Sequence, residues 1–85
     1  MFFYYSDKAL RQFSKLDKAI QKEIKTYTDN LESLENPRTK GKALKANLKG
    51  LWRYRVGIYR LICRIDDDKL IILCLELDKR DKIYK

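Results

Sequence analysis

Histidine is absent from this sequence, which holds only two cysteines, three glycines and one proline in 85 residues. Without histidine there is no Ser-His or Cys-His nucleophile. The two thiols, Cys63 and Cys74, form no CxxC pair. No metal is expected on ligand count, and no cofactor is implied. The scarcity of glycine and proline argues against a loop-rich chain. No apolar run approaches the ~20 residues of a membrane span, and Met1 to Tyr5 is too short for a signal peptide before Ser6-Asp7-Lys8 ends it. The expected setting is therefore the cytoplasm, with no membrane partner. The length fits a single domain over residues 1–85 with one core.

Acid is also missing, but only from one stretch. The net charge is +8. Residues 1–37 carry six basic and six acidic groups. Residues 65–85 carry five basic and six acidic. Between them Arg38, Lys40, Lys42, Lys45, Lys49, Arg53, Arg55, Arg60 and Arg64 occur with no acid. That pattern points to a polyanion, with RNA or DNA first, an acidic protein second and a membrane surface third. A solvated basic face is an adequate reading for Lys40, Lys42 and Lys45. It is a poorer one for arginines on a strand.

Phe2 to Tyr5 reads as a short first strand. Ser6 is a good N-cap, with Asp7 in the first helical turn. Phe13, Leu16, Ile20, Ile24, Tyr27, Leu31 and Leu34 follow in helical steps of three and four. One helix from Ser6 to Glu35 would be ~45 Å long, too long for a domain whose radius of gyration should be ~12 Å. A break after Leu16 is expected, with Asp17 capping a second helix that ends at Asn36-Pro37. Lys42 to Leu48 has room for a helical turn. Strands are expected at Trp52–Val56, Tyr59–Asp66 and Lys69–Leu77, with a two-residue type II′ turn at Gly57-Ile58. A last extended piece covers Lys82–Tyr84. The predicted fold is α+β: a small antiparallel β-sheet with an N-terminal αα-hairpin packed on one face, in the order β-α-α-β-β-β.

Strand parity sorts the stretch LWRYRVGIYR, residues 51–60. Arg53, Arg55, Arg60 and Arg64 fall on one face. Trp52, Tyr54, Val56, Tyr59, Leu61, Cys63 and Ile65 fall on the other, toward the helices. On the next strand Ile71, Leu73, Leu75 and Leu77 form the expected apolar set, which needs an odd-length turn or a bulge near Asp67. In that register Cys63 and Cys74 point to opposite faces, and no disulfide joins them. Arg55 lies opposite Arg60, a repulsive pair unless an anion is present, so removing either charge should leave stability unchanged or raise it.

The run LKGLWRYRVGIYRLICRIDDDKLIILCLELDKRDKIYK resembles the C-terminal half of RelE-type toxins of bacterial toxin–antitoxin systems. The shared features are the Leu48-x-Gly50-x-Trp52 entry, a basic strand, the Gly57-x-Tyr59-Arg60 hairpin and the closing Lys79-Arg80 and Ile83-Tyr84. The helical half fits as well, so the likeness covers nearly the whole chain. The fold is shared with ParE-type gyrase poisons. The resemblance implies a toxin that enters the ribosomal A site and cleaves messenger RNA by attack of the RNA's own 2′-hydroxyl on the adjacent phosphate. It implies Arg53, Arg55, Arg60, Arg80 and Tyr84 as the catalytic set. The arginines would hold the phosphate, and Tyr84 would stack on a base, orient the hydroxyl or relay a proton. Several relatives have lysines where Arg53 and Arg55 stand, and Lys79 takes the place of a histidine used in other branches. Arginine is a poor general base.

Lys42, Lys45, Lys49 and Lys79 are the expected contacts to RNA and ribosome, acting as a distributed, salt-screened attraction. The implied partners are a small acidic antitoxin that folds on binding, the ribosome with its mRNA, and operator DNA only through a toxin–antitoxin complex. Two other readings stand beside this one: a non-catalytic ParE-like gyrase poison, and a basic RNA-binding module without toxicity.

Overall fold

The structure is a computed structural model, and it describes residues 1–79. The expected strand at Lys82–Tyr84 lies outside the described residues. The elements are β1 (Phe2–Tyr5), α1 (Asp7–Ser14), α2 (Lys18–Ser33), β2 (Lys42–Ala43), β3 (Trp52–Val56), β4 (Tyr59–Asp66) and β5 (Ile71–Lys79). Two 3₁₀ turns, Pro37–Thr39 and Ala46–Leu48, interrupt the basic connection. The second of these takes the place of the helical turn expected over Lys42 to Leu48. The Cα radius of gyration is 12.1 Å.

The α+β class and element order agree with the sequence reading, and the sheet holds five strands in the order β1-β5-β4-β3-β2. It is mixed rather than wholly antiparallel, because β1 runs parallel to β5, with Tyr4 beside Leu73 and Tyr5 beside Cys74. The α1–α2 hairpin is the crossover that permits a parallel return. A second difference is β2, a two-residue edge strand paired with β3.

Local chemistry explains the helical break. Ser6 Oγ accepts from the Ala9 N–H at 3.1 Å and opens α1 as a side-chain cap. Asp17 occupies the N-cap position of α2, yet its carboxylate makes no capping bond. The junction is held by Gln21 instead, whose Nε2 donates to the Phe13 and Leu16 carbonyls at 3.0 and 3.1 Å. The Phe13 carbonyl also accepts from the Leu16 N–H at 3.1 Å, and Leu16 lies just past the end of α1. The core lies between the helices and the sheet: Ala9, Ile24 and Leu31 meet Tyr54, Val56, Leu61, Cys63, Ile72, Cys74 and Leu77.

The β3–β4 hairpin matches expectation. Val56 pairs with Tyr59 and Arg55 with Arg60. Gly57 has φ +61° and Ile58 does not, as a type II′ turn requires. The register of β5 differs from expectation. The turn after Asp66 is even, since Asp66 pairs with Ile71, and the bulge falls later, where Ile62 pairs with Glu76 but Cys63 with Cys74. Leu75 is the extra residue. Before it, Ile72 and Cys74 face the helices and Ile71 and Leu73 face away; after it, Leu77 faces the helices. Cys63 and Cys74 are therefore cross-strand neighbours on one face, both buried and both free thiols. The expectation of opposite faces was wrong because a mid-strand bulge, unlike one at the turn, reverses the parity of the first half alone.

Candidate nucleic-acid interface

The side of the sheet away from the helices carries the cations. Lys42 on β2 is in register with Arg53 on β3, and Arg53 with Ile62 on β4. One step along, Arg55 is in register with Arg60 and Arg60 with Asp78 on β5. Arg64, exposed, lies beside Leu73. Two like-charged pairs thus sit one strand apart, where side chains directly opposite have Cβ atoms ~4.5–5.5 Å apart. Like charges so placed repel each other, and Asp78 stands on the other side of Arg60, in register with it.

The arginines are not equivalent. Arg55 is exposed, Arg53 half-buried, and Arg60 only 7% exposed. At that burial the removal of Arg60 takes away packed side-chain surface as well as a charge, unlike the removal of Arg55. The Nε of Arg53 is buried and has no hydrogen-bond partner among the described residues. Leaving a buried charged donor unsatisfied costs more than the ~1–3 kcal/mol of a neutral one.

The basic connection is lashed against β3. Trp52 Nε1 donates to the Lys40 carbonyl at 2.7 Å, and the Tyr54 hydroxyl donates to the Pro37 carbonyl at 2.9 Å. Gly41, at φ +75°, lies so close that a Cβ there would stand 2.4 Å from the Arg53 carbonyl oxygen. This close approach sets Lys42 beside Arg53. The sequence signal was a glycine inside a lysine-rich connection, and its role was missed.

Other cations are engaged elsewhere. Arg38 makes a bidentate pair with Asp67 at 2.9 and 3.0 Å, holding the Asp67 carboxyl below its usual range. Lys40 stands 5.4 Å from the centre of the Tyr27 ring. Lys45 and Lys49 are exposed on either side of the Ala46–Leu48 turn, outside the strand rows. Lys79 is in register with Tyr59, on the parity opposite Arg60. It lines a cleft of about 470 Å³ with Gln12, Lys15, Leu16, Tyr59, Leu77 and Asp78. Arg80 and Tyr84 lie outside the described residues. So the structure brings Lys42, Arg53, Arg55 and Arg60 together and leaves Lys45, Lys49 and Lys79 apart. Burial raises the pKa of Tyr54 and Tyr27, so neither phenol is a base near neutral pH.

A helical hairpin on one side of a small mixed sheet, with cations on the other, is the architecture of the RelE/ParE toxins. The chain belongs to the family described as the ParE toxin of the type II toxin–antitoxin system parDE, whose profile matches residues 3–84. It is similar to Toxin RelG of Mycobacterium tuberculosis, 42% identical over 45 residues. That match spans 53% of this chain and 52% of the relative, about half the length of each. The toxin–antitoxin complex RelBE2 from Mycobacterium tuberculosis contains a chain of the same fold, with a TM-score of 0.82 at 30% identity, covering 93% of this chain and 90% of that one. The archaeal RelE–RelB complex from Pyrococcus horikoshii contains another, with a TM-score of 0.72 at 27% identity and 93% of both chains covered.

Proposed function

We propose that this toxin is a ribosome-dependent endoribonuclease that cuts messenger RNA in the A site. The observation that carries this reading is the Lys42–Arg53 and Arg55–Arg60 array with the buried, unsatisfied Nε of Arg53. A phosphate beside these cations would supply the acceptor that the Arg53 Nε lacks. In the reaction the 2′-oxygen bonds to phosphorus, the bond from phosphorus to the 5′-oxygen breaks, and the 5′-oxygen takes a proton. The products are a 2′,3′-cyclic phosphate and a 5′-hydroxyl. Arg53 and Arg55 stabilise the charge that develops on the non-bridging oxygens, with Arg60 completing the row. Tyr84 is the candidate to orient the hydroxyl or move the proton.

The partner that silences the toxin is an acidic antitoxin, in keeping with the RelBE2 and RelE–RelB neighbours, both of which are complexes. Operator DNA is bound only by the toxin–antitoxin complex. The chain acts in the cytoplasm, and no helix among the described residues is long and apolar enough to cross a membrane.

A second reading, poisoning of gyrase without catalysis, has one observation in its favour: the matching family description names ParE. The test is expression of the chain alone, followed by mapping of RNA ends and assay of purified gyrase. Growth arrest with new 2′,3′-cyclic ends, abolished by Arg53→Ala, supports the nuclease. Inhibited supercoiling with intact messages replaces it with the second reading.

A further inference from the structure

The open face of the sheet does not end at the arginines. Its far edge is β1, where Phe2 is 63% exposed and Tyr4 52% exposed. Their neighbours Phe3 and Tyr5 turn to the helix side and pack on the core. By register, Phe2 lies beside Ile71, and Tyr4 beside Leu73, which lies beside Arg64. The face therefore runs from Lys42, Arg53 and Arg55 through Arg64 to two exposed aromatic rings. Three carboxylates share this side by register, and each already has a donor. Asp66 accepts from the Asp68 and Lys69 N–H groups at 3.1 and 3.2 Å. Glu76 is bonded by Lys8 at 2.6 Å, and Asp78 accepts from the Lys79 N–H at 2.7 Å.

We propose that Phe2 and Tyr4 are stacking positions for nucleobases that flank the phosphate held at Arg53 and Arg55, with Arg64 holding a phosphate on the way. The occupant is single-stranded RNA, and the inference rests on the nuclease reading above. An aromatic ring accepts any base on its π face, and a guanidinium takes the phosphate between bases. The alternation of ring and cation across the sheet matches that of base and phosphate along a strand. From β3 to β1 is three strand spacings, about 14 Å, and Tyr4, level with Arg64, stands two residues, about 7 Å, further along the strands than Arg53. Arg53 to Tyr4 is then about 16 Å, the length of roughly five stacked nucleotides at 3.4 Å each, and fewer if the strand is stretched; Phe2 lies one base further on. A second copy seated on this face would bring the same cations toward its own, which disfavours that occupant.

The test uses the full chain on ribosomes programmed with a 2′-O-methylated message, which cannot be cut by 2′-oxygen attack. Equilibrium binding is measured for wild type, Phe2→Ala, Tyr4→Ala, Tyr4→Trp, Arg64→Ala and Arg53→Ala, with thermal melting of each. A parallel message carries 5-iodouridine beside the A-site codon for photo-cross-linking. Tyr4→Ala should weaken binding between about 5-fold and 150-fold, as loss of one stacked base does, with its melting temperature retained. Tyr4→Trp should bind as wild type. Arg64→Ala should lower the dependence of log affinity on log salt by about 0.7. The iodouridine should cross-link to Phe2 or Tyr4. If Arg53→Ala loses binding while Phe2→Ala and Tyr4→Ala keep it, the nuclease reading stands and this inference falls. If the two aromatic variants keep RNA affinity but escape inhibition by the antitoxin, the surface is a protein interface and the inference is wrong. If wild type leaves no 2′,3′-cyclic ends on the same message without the 2′-O-methyl groups, the nuclease reading fails and takes this inference with it.

Discussion

Gly41 is the residue on which the cationic array depends most directly, although it bears no charge. Its φ of +75° is costly for an L side chain, and a Cβ would meet the Arg53 carbonyl oxygen, Trp52 Nε1 and Tyr54 Cδ1 all within 3 Å. Gly41→Ala should cost at least ~2 kcal/mol through strain and overpacking. For a domain of this size that lowers the melting temperature by ~10 °C. A melt within 2 °C of wild type would show that the connection can move aside. The arginines separate at the same scale. Arg55→Ala removes an exposed charge from a repulsive pair and should leave the melting temperature unchanged or raised. Arg60→Ala removes a buried stem and should lower it. Cleavage on programmed ribosomes should fall ~10²–10³-fold for Arg53→Ala and Arg55→Ala alike. Cys63 and Cys74 belong here too: both are buried, with 0% of each exposed, so both thiols should react with iodoacetamide only in denaturant; for Cys63, burial also pushes the thiol pKa up.

Among the elements, the clearest sequence signals were those with a local cause. Ser6 caps its helix because its hydroxyl is three residues from the Ala9 N–H, and Gly57 marks a hairpin because the turn needs positive φ there. The boundaries of β3 and β4 follow from alternation that both faces share. What stayed hidden was set by partners far away in sequence. Nothing in Phe2–Tyr5 announces a parallel partner at Ile71–Cys74. Nothing in a run of isoleucines and leucines locates a bulge at Leu75, because either parity offers apolar residues to the core. The candidate site was half legible: parity grouped Arg53, Arg55, Arg60 and Arg64, while the placing of Lys42 beside Arg53 required the Gly41 crossing. The α1–α2 junction gives a test at this scale. Gln21→Ala should leave the Leu16 carbonyl without its side-chain donor and cost ~1–2 kcal/mol, whereas Asp17→Ala, which loses no side-chain bond, should cost less. Paired thermal melts decide between them, and a larger effect of Asp17 would return the cap to the carboxylate.

At the scale of the whole molecule, pH acts through buried phenols. Burial raises the pKa of Tyr5, Tyr27 and Tyr54 above the ordinary 10.0. The unfolded chain therefore releases these protons first as pH rises. Their contribution to stability is complete below pH 10.0 and is lost progressively above it. Denaturant midpoints should fall beyond about pH 10, and absorbance at about 295 nm should show these three of the six tyrosines ionising late. The Asp67 carboxyl, lowered by Arg38, acts in the opposite sense: its contribution is present above pH 3.8 and fades as pH falls through the depressed value. Arg38→Ala should remove the acid-side component and leave the alkaline limb in place.

The parallel partnership of β1 and β5 also sets a clock. Phe2 pairs with Ile71, so β1 leaves the synthetic machinery well before the strand it pairs with. At ~5–20 residues per second that interval is roughly 3–14 s. During it the β3–β4 hairpin can close on its own turn, but α1 and α2 have no finished sheet to cover, and Phe3 and Tyr5 have no place in a core. The domain therefore matures as a single late event, and a chain halted before residue 71 is an unfolded substrate for proteases rather than a smaller version of the protein.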